Sequence, residues 1–239
     1  MIKANTFCII IPCYNEQASI LPFTQELNIF LIDFAKKYAN SLLKIYFVNN
    51  NSTDDSLSLL TAYSQNHKNI SVLNCDVQGY GAALKCGFGS VLADYFAFLD
   101  LDNTYPLNFF LDGYEVMLKN HNIDMLMTNR FSNNSKMPWI RNIGNRFFAN
   151  LVNLLFSIQL QDVCSGQRII TKSKINEVVL LSENGLNFSI QLTCFSILKK
   201  WDVKYLPIEY KDRTGFSKLA IVKDGLQFLK TIIKVKFDL

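Results

Sequence analysis

The chain has 239 residues, of which 49% are hydrophobic, and a formal net charge of +4. This length and composition suit one enzyme-sized domain spanning residues 1–239, and the modest charge gives no reason to expect nucleic-acid binding. Six cysteines are scattered without the close spacing of a zinc site or a small disulfide scaffold, so we expect reduced thiols and a cytoplasmic protein. We find no secretory signal pattern and no apolar stretch long enough to span a bilayer.

Short apolar runs alternate with segments of helical spacing along the first half of the chain. The predicted strands cover residues 6–11, 43–48, 70–73, 95–99 and 125–128, and the predicted helices between them cover 18–37, 54–65, 81–93 and 107–119. Two further helices are predicted at 145–158 and, rich in lysine, at 219–236. This alternation predicts an α/β fold, with a single Rossmann-like, mainly parallel sheet and helices on both faces.

The fourth predicted strand ends in two carboxylates, Asp100 and Asp102. Ligands of open α/β sheets bind at the carboxyl ends of the strands. Mg²⁺ and Mn²⁺ prefer carboxylate oxygens together with substrate phosphate, so the pair predicts a metal site. One of the two could instead cap the helix that follows.

The loops after the first three predicted strands carry polar residues and glycines. The first loop contains Pro12, Tyr14, Asn15 and Glu16 and no glycine, which disfavours a nicotinamide dehydrogenase. The second begins with Asn49 and Asn50, whose amides can bind a base edge. The third contains Gln78, Gly79 and Gly81, a turn suited to bringing backbone close to a ligand.

Taken in order, these motifs resemble family 2 glycosyltransferases with the GT-A fold, in particular the polyprenyl-phosphate sugar synthases such as dolichyl-phosphate mannose or glucose synthases. Two downstream stretches add to the resemblance, residues 162–168 (Asp-Val-Cys-Ser-Gly-Gln-Arg) and 213–218 (Arg-Thr-Gly-Phe-Ser-Lys). The second is the more specific pointer to the polyprenyl-phosphate branch.

The resemblance implies an inverting transferase that binds a nucleotide-diphosphate sugar. The nucleotide would lie against the loops named above, with Asp100 and Asp102 holding its diphosphate through Mg²⁺ or Mn²⁺. The acceptor would be polyprenyl phosphate, an anion that needs cations more than a general base. The cations and the hydroxyl expected to bind this phosphate are Arg130, Arg141, Arg168, Arg213, Ser217 and Lys218.

Three positions depart from the family pattern. Asn49-Asn50 replaces an acidic pair, Tyr80 replaces a lysine, and Gln191 replaces a glutamate. Asp162 then becomes the best candidate for an acid–base or acceptor-orienting role, and we expect Asp102, Asp162 and Arg130 to be the catalytic residues.

Apolar residues of the helix at 145–158 and the lysines at 219–236 suggest peripheral contact with the cytoplasmic membrane, although the same surfaces could instead be core or face a membrane-protein partner. Two other functions are compatible with the sequence. One is a family 2 transferase with a saccharide hydroxyl acceptor in cell-surface glycan assembly, and the other is a non-catalytic nucleotide-sugar-binding subunit.

Overall fold

The computed structural model describes residues 4–132, 135–214 and 220–237. Its centre is one seven-stranded sheet whose strands alternate with helices along the chain. The strands are β1 (Thr6–Cys13), β2 (Leu42–Asn49), β3 (Ile70–Asn74), β4 (Tyr95–Phe98), β5 (Met125–Asn129), β6 (Arg168–Thr171) and β7 (Val203–Pro207).

The strands lie in the order β3-β2-β1-β4-β6-β5-β7. Strand β6 runs antiparallel to its neighbours β4 and β5, and every other pairing is parallel. The prediction of a mainly parallel sheet is therefore confirmed. The chain turns back across the sheet between β1 and β4, which pair with Ile10 opposite Phe98. Such a reversal opens a crevice at the carboxyl ends of the strands, where ligands bind in folds of this class.

Helices cover both faces of the sheet, as predicted. They are α1 (Gln17–Lys37), α2 (Ser56–Ser64), α3 (Tyr80–Gly89), α4 (Asn108–Lys119), α5 (Trp139–Phe156), α6 (Lys172–Val179), α7 (Phe188–Leu198) and α8 (Ile221–Phe237). One core cluster joins α1 and α4 to the sheet, and a second joins α3, α6 and α7 to its other face. A third packs α5 and α8 against α7, with Ile190 and Val152 fully buried. Within the described ranges, no helix has both the length and the apolar character needed to cross a membrane.

Element bounds differ from the predictions in specific places. Helix α2 begins at Ser56 rather than at residue 54, because the Asp54 carboxylate accepts a hydrogen bond from the Ser56 backbone N–H at 3.0 Å. Helix α3 ends at Gly89, four residues early, and α5 begins at Trp139, directly after Pro138. The predicted start of the last helix, residue 219, lies outside the described residues. Strands β6 and β7 and helices α6 and α7 were not predicted.

Candidate active site

A cavity of about 670 Å³ lies at the carboxyl edge of the sheet, beneath the first halves of α5 and α8. Its walls include the loops after β1, β2, β3 and β4. This volume falls within the range of sites that hold nucleotides and other drug-sized ligands.

The carboxylate pair lies in this cavity, directly after β4. Asp102 is 2% exposed, and its Oδ1 accepts hydrogen bonds from the backbone N–H of Thr104 at 3.1 Å and from the Thr104 hydroxyl at 2.5 Å. Its Oδ2 forms an ion pair with Arg213. The Asp100 Oδ1 is buried and has no hydrogen-bond partner within the described part of the chain. Burial, followed by the negative charge of Asp102, raises the pKa of Asp100 to about 7.

Gly166 allows the chain to pass close to Asp100. A Cβ at residue 166 would lie 2.9 Å from the Asp100 Oδ2 and 3.1 Å from its Oδ1. Gly166 lies in the loop that leads into β6. Because β6 runs antiparallel to β4, its beginning lies beside the end of β4, which brings this glycine against the Asp100 carboxylate. A larger residue at this position would push the Asp100 carboxylate aside, so the glycine lets that carboxylate keep its place.

The carboxylate pair fits a divalent cation whose coordination is completed by substrate. The structure describes no group of three or more His, Cys, Asp or Glu side chains placed to hold a metal on their own. Asp100 nevertheless offers a buried carboxylate oxygen without a partner, and two adjacent carboxylates favour a cation between them. Mg²⁺ and Mn²⁺ commonly bind through one or two carboxylates plus substrate phosphates.

Arg130 lines the cavity, and hydrogen bonds to neighbouring side chains hold its guanidinium in place. Its Nε lies 2.6 Å from Asp162 Oδ2 and its Nη2 lies 2.8 Å from Asp162 Oδ1, a bidentate pair. Its Nη1 donates to the Tyr105 hydroxyl at 3.3 Å, and the ring of Tyr210 lies 5.8 Å from its guanidinium carbon. Although burial acts to lower it, the pKa of Arg130 is raised well above its usual value by the charge of Asp162. Arg130 is thus a permanently charged, oriented cation.

Asp162 does not reach the cavity wall. It is fully buried, and it accepts hydrogen bonds from the backbone N–H groups of Arg130 and Cys164, each at 3.2 Å, in addition to the Arg130 guanidinium. With both oxygens used in this way, Asp162 cannot collect a proton from an acceptor in the cavity. Asp162 can therefore influence the cavity only through Arg130, so its position does not support a direct acid–base role, and its acceptor-orienting role stays a prediction.

The nucleotide-side residues divide into two groups. Pro12, Tyr14, Glu16, Asn50, Gln78 and Gly79 line the cavity. Asn15, Asn49 and Gly81 do not. Asn15 joins the loops after β1 and β2 by accepting a hydrogen bond from the Thr53 backbone N–H at 2.7 Å, and the Asn49 amide donates to Asn74 at 3.0 Å. A Cβ on Gly81 would lie 2.6 Å from the Cβ of Phe188, so this glycine lets α3 and α7 pack closely.

Asn50 also supports the loop that follows β3. Its Oδ1 accepts from the Gly79 backbone N–H at 2.7 Å, and its Nδ2 donates to the Val77 carbonyl at 2.6 Å. Asn51, the next residue, has a φ of 59°, a left-handed conformation that asparagine adopts more readily than most residues. The run of three asparagines is therefore largely explained by the shape of the loops.

The predicted acceptor-binding cations also fall into two groups, those that line the cavity and one that does not. Arg130, Arg141 and Arg213 line the cavity. Arg168 is fully buried away from it, where its guanidinium donates to the carbonyls of Ser165 at 3.0 Å and Ser189 at 2.7 Å, and burial lowers its pKa. This placement corrects the prediction for Arg168, which holds α7 to the start of β6. Ser217 and Lys218 lie outside the described residues.

The sequence reasoning missed several residues of the cavity. Tyr105 joins both halves of the site, because its hydroxyl accepts hydrogen bonds from Arg130 and from the Gly166 backbone N–H at 2.7 Å. Tyr105 lies only three residues after Asp102, whereas Tyr210 follows a strand that was not predicted. The helical half of the cavity adds mainly apolar side chains and one lysine: Met137, Ile140, Phe148, Ile221, Phe228 and Lys223.

Comparison with solved structures identifies the fold. Glucosyl-3-phosphoglycerate synthase from Mycobacterium tuberculosis, solved with Mn²⁺, UDP-glucose and phosphoglyceric acid, superposes with a TM-score of 0.73 at 15% identity, over 98% of this chain and 80% of that one. The same synthase has also been solved with Mg²⁺ and UDP, and it superposes with a TM-score of 0.70 at 16% identity, covering 98% of this chain and 80% of the other. The chain therefore has the GT-A fold predicted for it.

Curated relatives match much of the chain at low identity. A dolichyl-phosphate hexose transferase of Haloferax volcanii is 27% identical over 69% of this chain and 71% of its own length. The hexosyltransferase Agl6 of the same organism is 24% identical over 96% of this chain, which spans only 54% of that longer protein. A dolichyl-phosphate β-glucosyltransferase of Dictyostelium discoideum is 22% identical over 96% of this chain and 73% of its own length. The family model described as "Glycosyl transferase family 2" matches residues 8–179. The chain belongs to glycosyl transferase family 2.

Proposed function

We propose that this chain is an inverting, metal-dependent hexosyltransferase that moves a sugar from a nucleotide-diphosphate sugar to polyprenyl phosphate at the cytoplasmic face of a membrane. The proposal rests on three parts of one cavity. These are the loops of the nucleotide side, the carboxylate pair and the cationic, apolar acceptor side.

The nucleotide side is supported by the loops after β1, β2 and β3. Pro12 and Tyr14 offer flat surfaces against which a base can lie, and Gln78 adds an amide group to the lining of the cavity. The relatives named as hexose transferases and the synthase solved with UDP-glucose make a nucleotide sugar the best-supported donor.

Asp100 and Asp102 are the residues that would hold Mg²⁺ or Mn²⁺. When bound, such an ion neutralises the charge that develops on the departing nucleoside diphosphate. The hydrogen bonds from Thr104 hold the Asp102 carboxylate in place in the wall of the cavity.

The observation that carries the proposal is the pairing of oriented arginines with an apolar wall on the acceptor side. Arg130, Arg141 and Arg213 share the cavity with Ile140, Phe148 and Phe228. Guanidinium groups bind phosphate in bidentate fashion, and an apolar wall suits the hydrocarbon that follows the phosphate of a polyprenyl acceptor. The relatives named as dolichyl-phosphate transferases support the same acceptor class.

A phosphate acceptor also agrees with the roles assigned to the carboxylates of the cavity, none of which is that of a general base. A saccharide hydroxyl would need a general base, whereas a phosphate monoester is already an anion near neutral pH. Among the described residues, the carboxylates that line the cavity are Glu16, Asp100, Asp102 and Asp224. Asp100 and Asp102 are assigned to the metal, Glu16 lies on the nucleotide side, and Asp224 accepts a hydrogen bond from the Ala220 backbone N–H at the start of α8.

Membrane contact would bring the cavity to its lipid substrate. Exposed apolar side chains recur every four residues on the first half of α5, at Trp139, Ile143 and Phe147, and continue on α8 at Val222 and Leu226. Both helices form the mouth of the cavity, and lysines accompany the apolar residues on α8. Such a surface suits the interface of an anionic leaflet.

The test is transfer by the purified chain to a short polyprenyl phosphate. Farnesyl phosphate is incubated with a panel of UDP- and GDP-sugars and Mn²⁺ or Mg²⁺, and the products are analysed by mass spectrometry. We expect a sugar–phosphate–farnesyl product that disappears with a chelator and with Asp102→Asn. Donor hydrolysis or donor binding without a glycolipid product, for every donor that binds, would contradict the proposal.

A further inference from the structure

Residues 213 and 214 lie directly on the loop that carries the carboxylate pair. The Thr214 backbone N–H donates to the Asp102 carbonyl at 3.0 Å, and the Thr214 carbonyl accepts from the Ser19 hydroxyl at 3.1 Å. The Asn103 amide donates to the Thr214 hydroxyl at 3.3 Å. These hydrogen bonds place Arg213 beside Asp102, with which it forms an ion pair.

Arg213 thus places its positive charge at Asp102, a predicted ligand of the metal ion. Asp102 is buried, and a buried carboxylate needs a positive partner. The guanidinium supplies one positive charge at Oδ2, where a divalent ion would supply two. Two cations at one carboxylate oxygen repel each other strongly in a poorly solvated site, so Arg213 and a metal ion compete for Asp102.

The Arg213 guanidinium also has a hydrogen-bond donor without a partner in this position. Its Nε is buried and has no hydrogen-bond partner within the described residues, and the Arg213 side chain keeps 25% of its surface exposed. Across the cavity Arg130 is locked by Asp162, whereas Arg213 is tied to a carboxylate that the reaction needs for another purpose. Of these two arginines, Arg213 is the one able to exchange partners.

We propose that Arg213 is an exchangeable cation that neutralises Asp102 in the metal-free protein and moves to the acceptor phosphate when a divalent metal binds at Asp102. The proposal rests on the function proposed above and adds to it a coupling between two substrates. Metal bound with the donor releases Arg213, so the affinity for the acceptor phosphate rises. By reciprocity, the bound acceptor phosphate raises the affinity for metal by the same factor.

The first test measures metal binding in the absence of donor and acceptor. Mn²⁺ is titrated into the wild type and into Arg213→Gln, and free Mn²⁺ is followed by electron paramagnetic resonance. We expect Arg213→Gln to bind Mn²⁺ more tightly, by a factor in the range of about 5 to 150 that is typical of coupled sites. Arg213→Lys keeps the charge and should stay closer to the wild type.

Lys211→Gln is the matched control for this test. It removes the same charge two residues away, from a lysine that pairs with Glu26 at 2.9 Å on the outer surface. Equal Mn²⁺ affinity in the wild type and Arg213→Gln, or an equal gain in Lys211→Gln, would overturn the proposal. Circular dichroism establishes that each variant is folded.

The second test measures phosphate binding without metal. Farnesyl phosphate is titrated in the presence of a chelator into the wild type, Asp102→Asn, Arg213→Gln and the double variant. Asp102→Asn releases Arg213 without a metal, so we expect it to bind farnesyl phosphate more tightly, by about 5- to 150-fold, and the double variant to lose this gain. A gain that persists in the double variant would come from the general loss of negative charge, and the proposal would be wrong.

The two tests separate this inference from the proposed function. The Mn²⁺ titration uses neither substrate, so it can show competition at Asp102 even if the acceptor class is wrong. If Arg213→Gln binds Mn²⁺ more tightly while no variant binds farnesyl phosphate, the exchange at Asp102 stands, and both the acceptor half of this proposal and the polyprenyl-phosphate function are contradicted.

Discussion

At the scale of single residues, the buried Arg130–Asp162 pair links a cation of the cavity to the protein interior. Asp162→Asn removes the counter-charge of an arginine that is 6% exposed. Breaking such a pair on one side typically costs about 3–5 kcal/mol. We expect a loss of stability of that order in urea unfolding, together with a loss of transfer activity because Arg130 is no longer oriented.

The control for Asp162→Asn is the same substitution in an exposed ion pair. Asp212 lies 2.9 Å from Lys136, and both side chains are largely exposed. Asp212→Asn should leave stability nearly unchanged, as is usual for a solvent-exposed pair. If Asp162→Asn were as mild as Asp212→Asn, Arg130 would not depend on Asp162.

Gly166 provides a second residue-scale prediction. In Gly166→Ala the new methyl group meets the Asp100 carboxylate, which has to shift. We expect Mn²⁺ affinity and transfer to fall by about tenfold or more, since 1.4 kcal/mol of distortion already gives a factor of ten, while overpacking costs about 1–3 kcal/mol of stability. Gly89→Ala, at a position with open space, should leave both unchanged. Wild-type Mn²⁺ binding in Gly166→Ala would show that Asp100 is not part of the metal site.

At the scale of secondary-structure elements, the first halves of α5 and α8 carry the predicted membrane contact. Ile143→Glu combined with Phe147→Glu places charges on the exposed face of α5, so binding to vesicles that contain anionic lipid should fall by about tenfold or more in a flotation assay. Leu92→Glu is the control, because Leu92 is 82% exposed and lies just before β4, at the amino end of the sheet opposite the cavity. Equal loss with Leu92→Glu, or no loss with the double substitution, would contradict the prediction.

The elements also show which features of the fold could be predicted from sequence. Strands β1 to β5 are continuous apolar runs bounded by polar loops, and each was predicted to within two residues at either end. Helix α7 was missed because nearly all of its residues are buried, so no polar stripe marks the helical period. Strand β6 has only four residues, and its first, Arg168, is a charged side chain that sequence patterns assign to the surface.

Some site residues could be predicted from the sequence and others could not, because the role of a polar side chain depends on contacts that are distant in the chain. Asp100 and Asp102 follow a fully buried apolar strand, which indicates the edge of the sheet at which their side chains emerge. The asparagines after β2 looked like ligands for a base, but Asn49 holds the neighbouring loop, and this use of an amide depends on contacts distant in the chain. Arg168 likewise looked like a phosphate ligand, because the sequence does not indicate that two carbonyls of the interior accept its hydrogen bonds.

At the scale of the whole molecule, the order of the strands brings the site together. The chain reverses across the sheet between β1 and β4, so the loops after these strands diverge and leave the crevice that becomes the cavity. The antiparallel strand β6 then brings Gly166 and Asp162 to the same edge from the opposite direction. The segments after β7 complete the lining of the cavity with Tyr210, Arg213 and α8, next to the contributions of Arg130 and α5. The extent of the domain, 1–239, remains a prediction.

The proposed function depends above all on the identity of the acceptor, which a comparison of matched acceptors tests. With one active donor and Mn²⁺, the initial rate of transfer is measured to farnesyl phosphate, to farnesol and to a panel of saccharides. Three arginines line the cavity, and the proposal assigns none of its described carboxylates as a base, so we predict transfer to farnesyl phosphate and none measurable to farnesol or the saccharides. Transfer to a saccharide hydroxyl in preference to farnesyl phosphate would contradict the account.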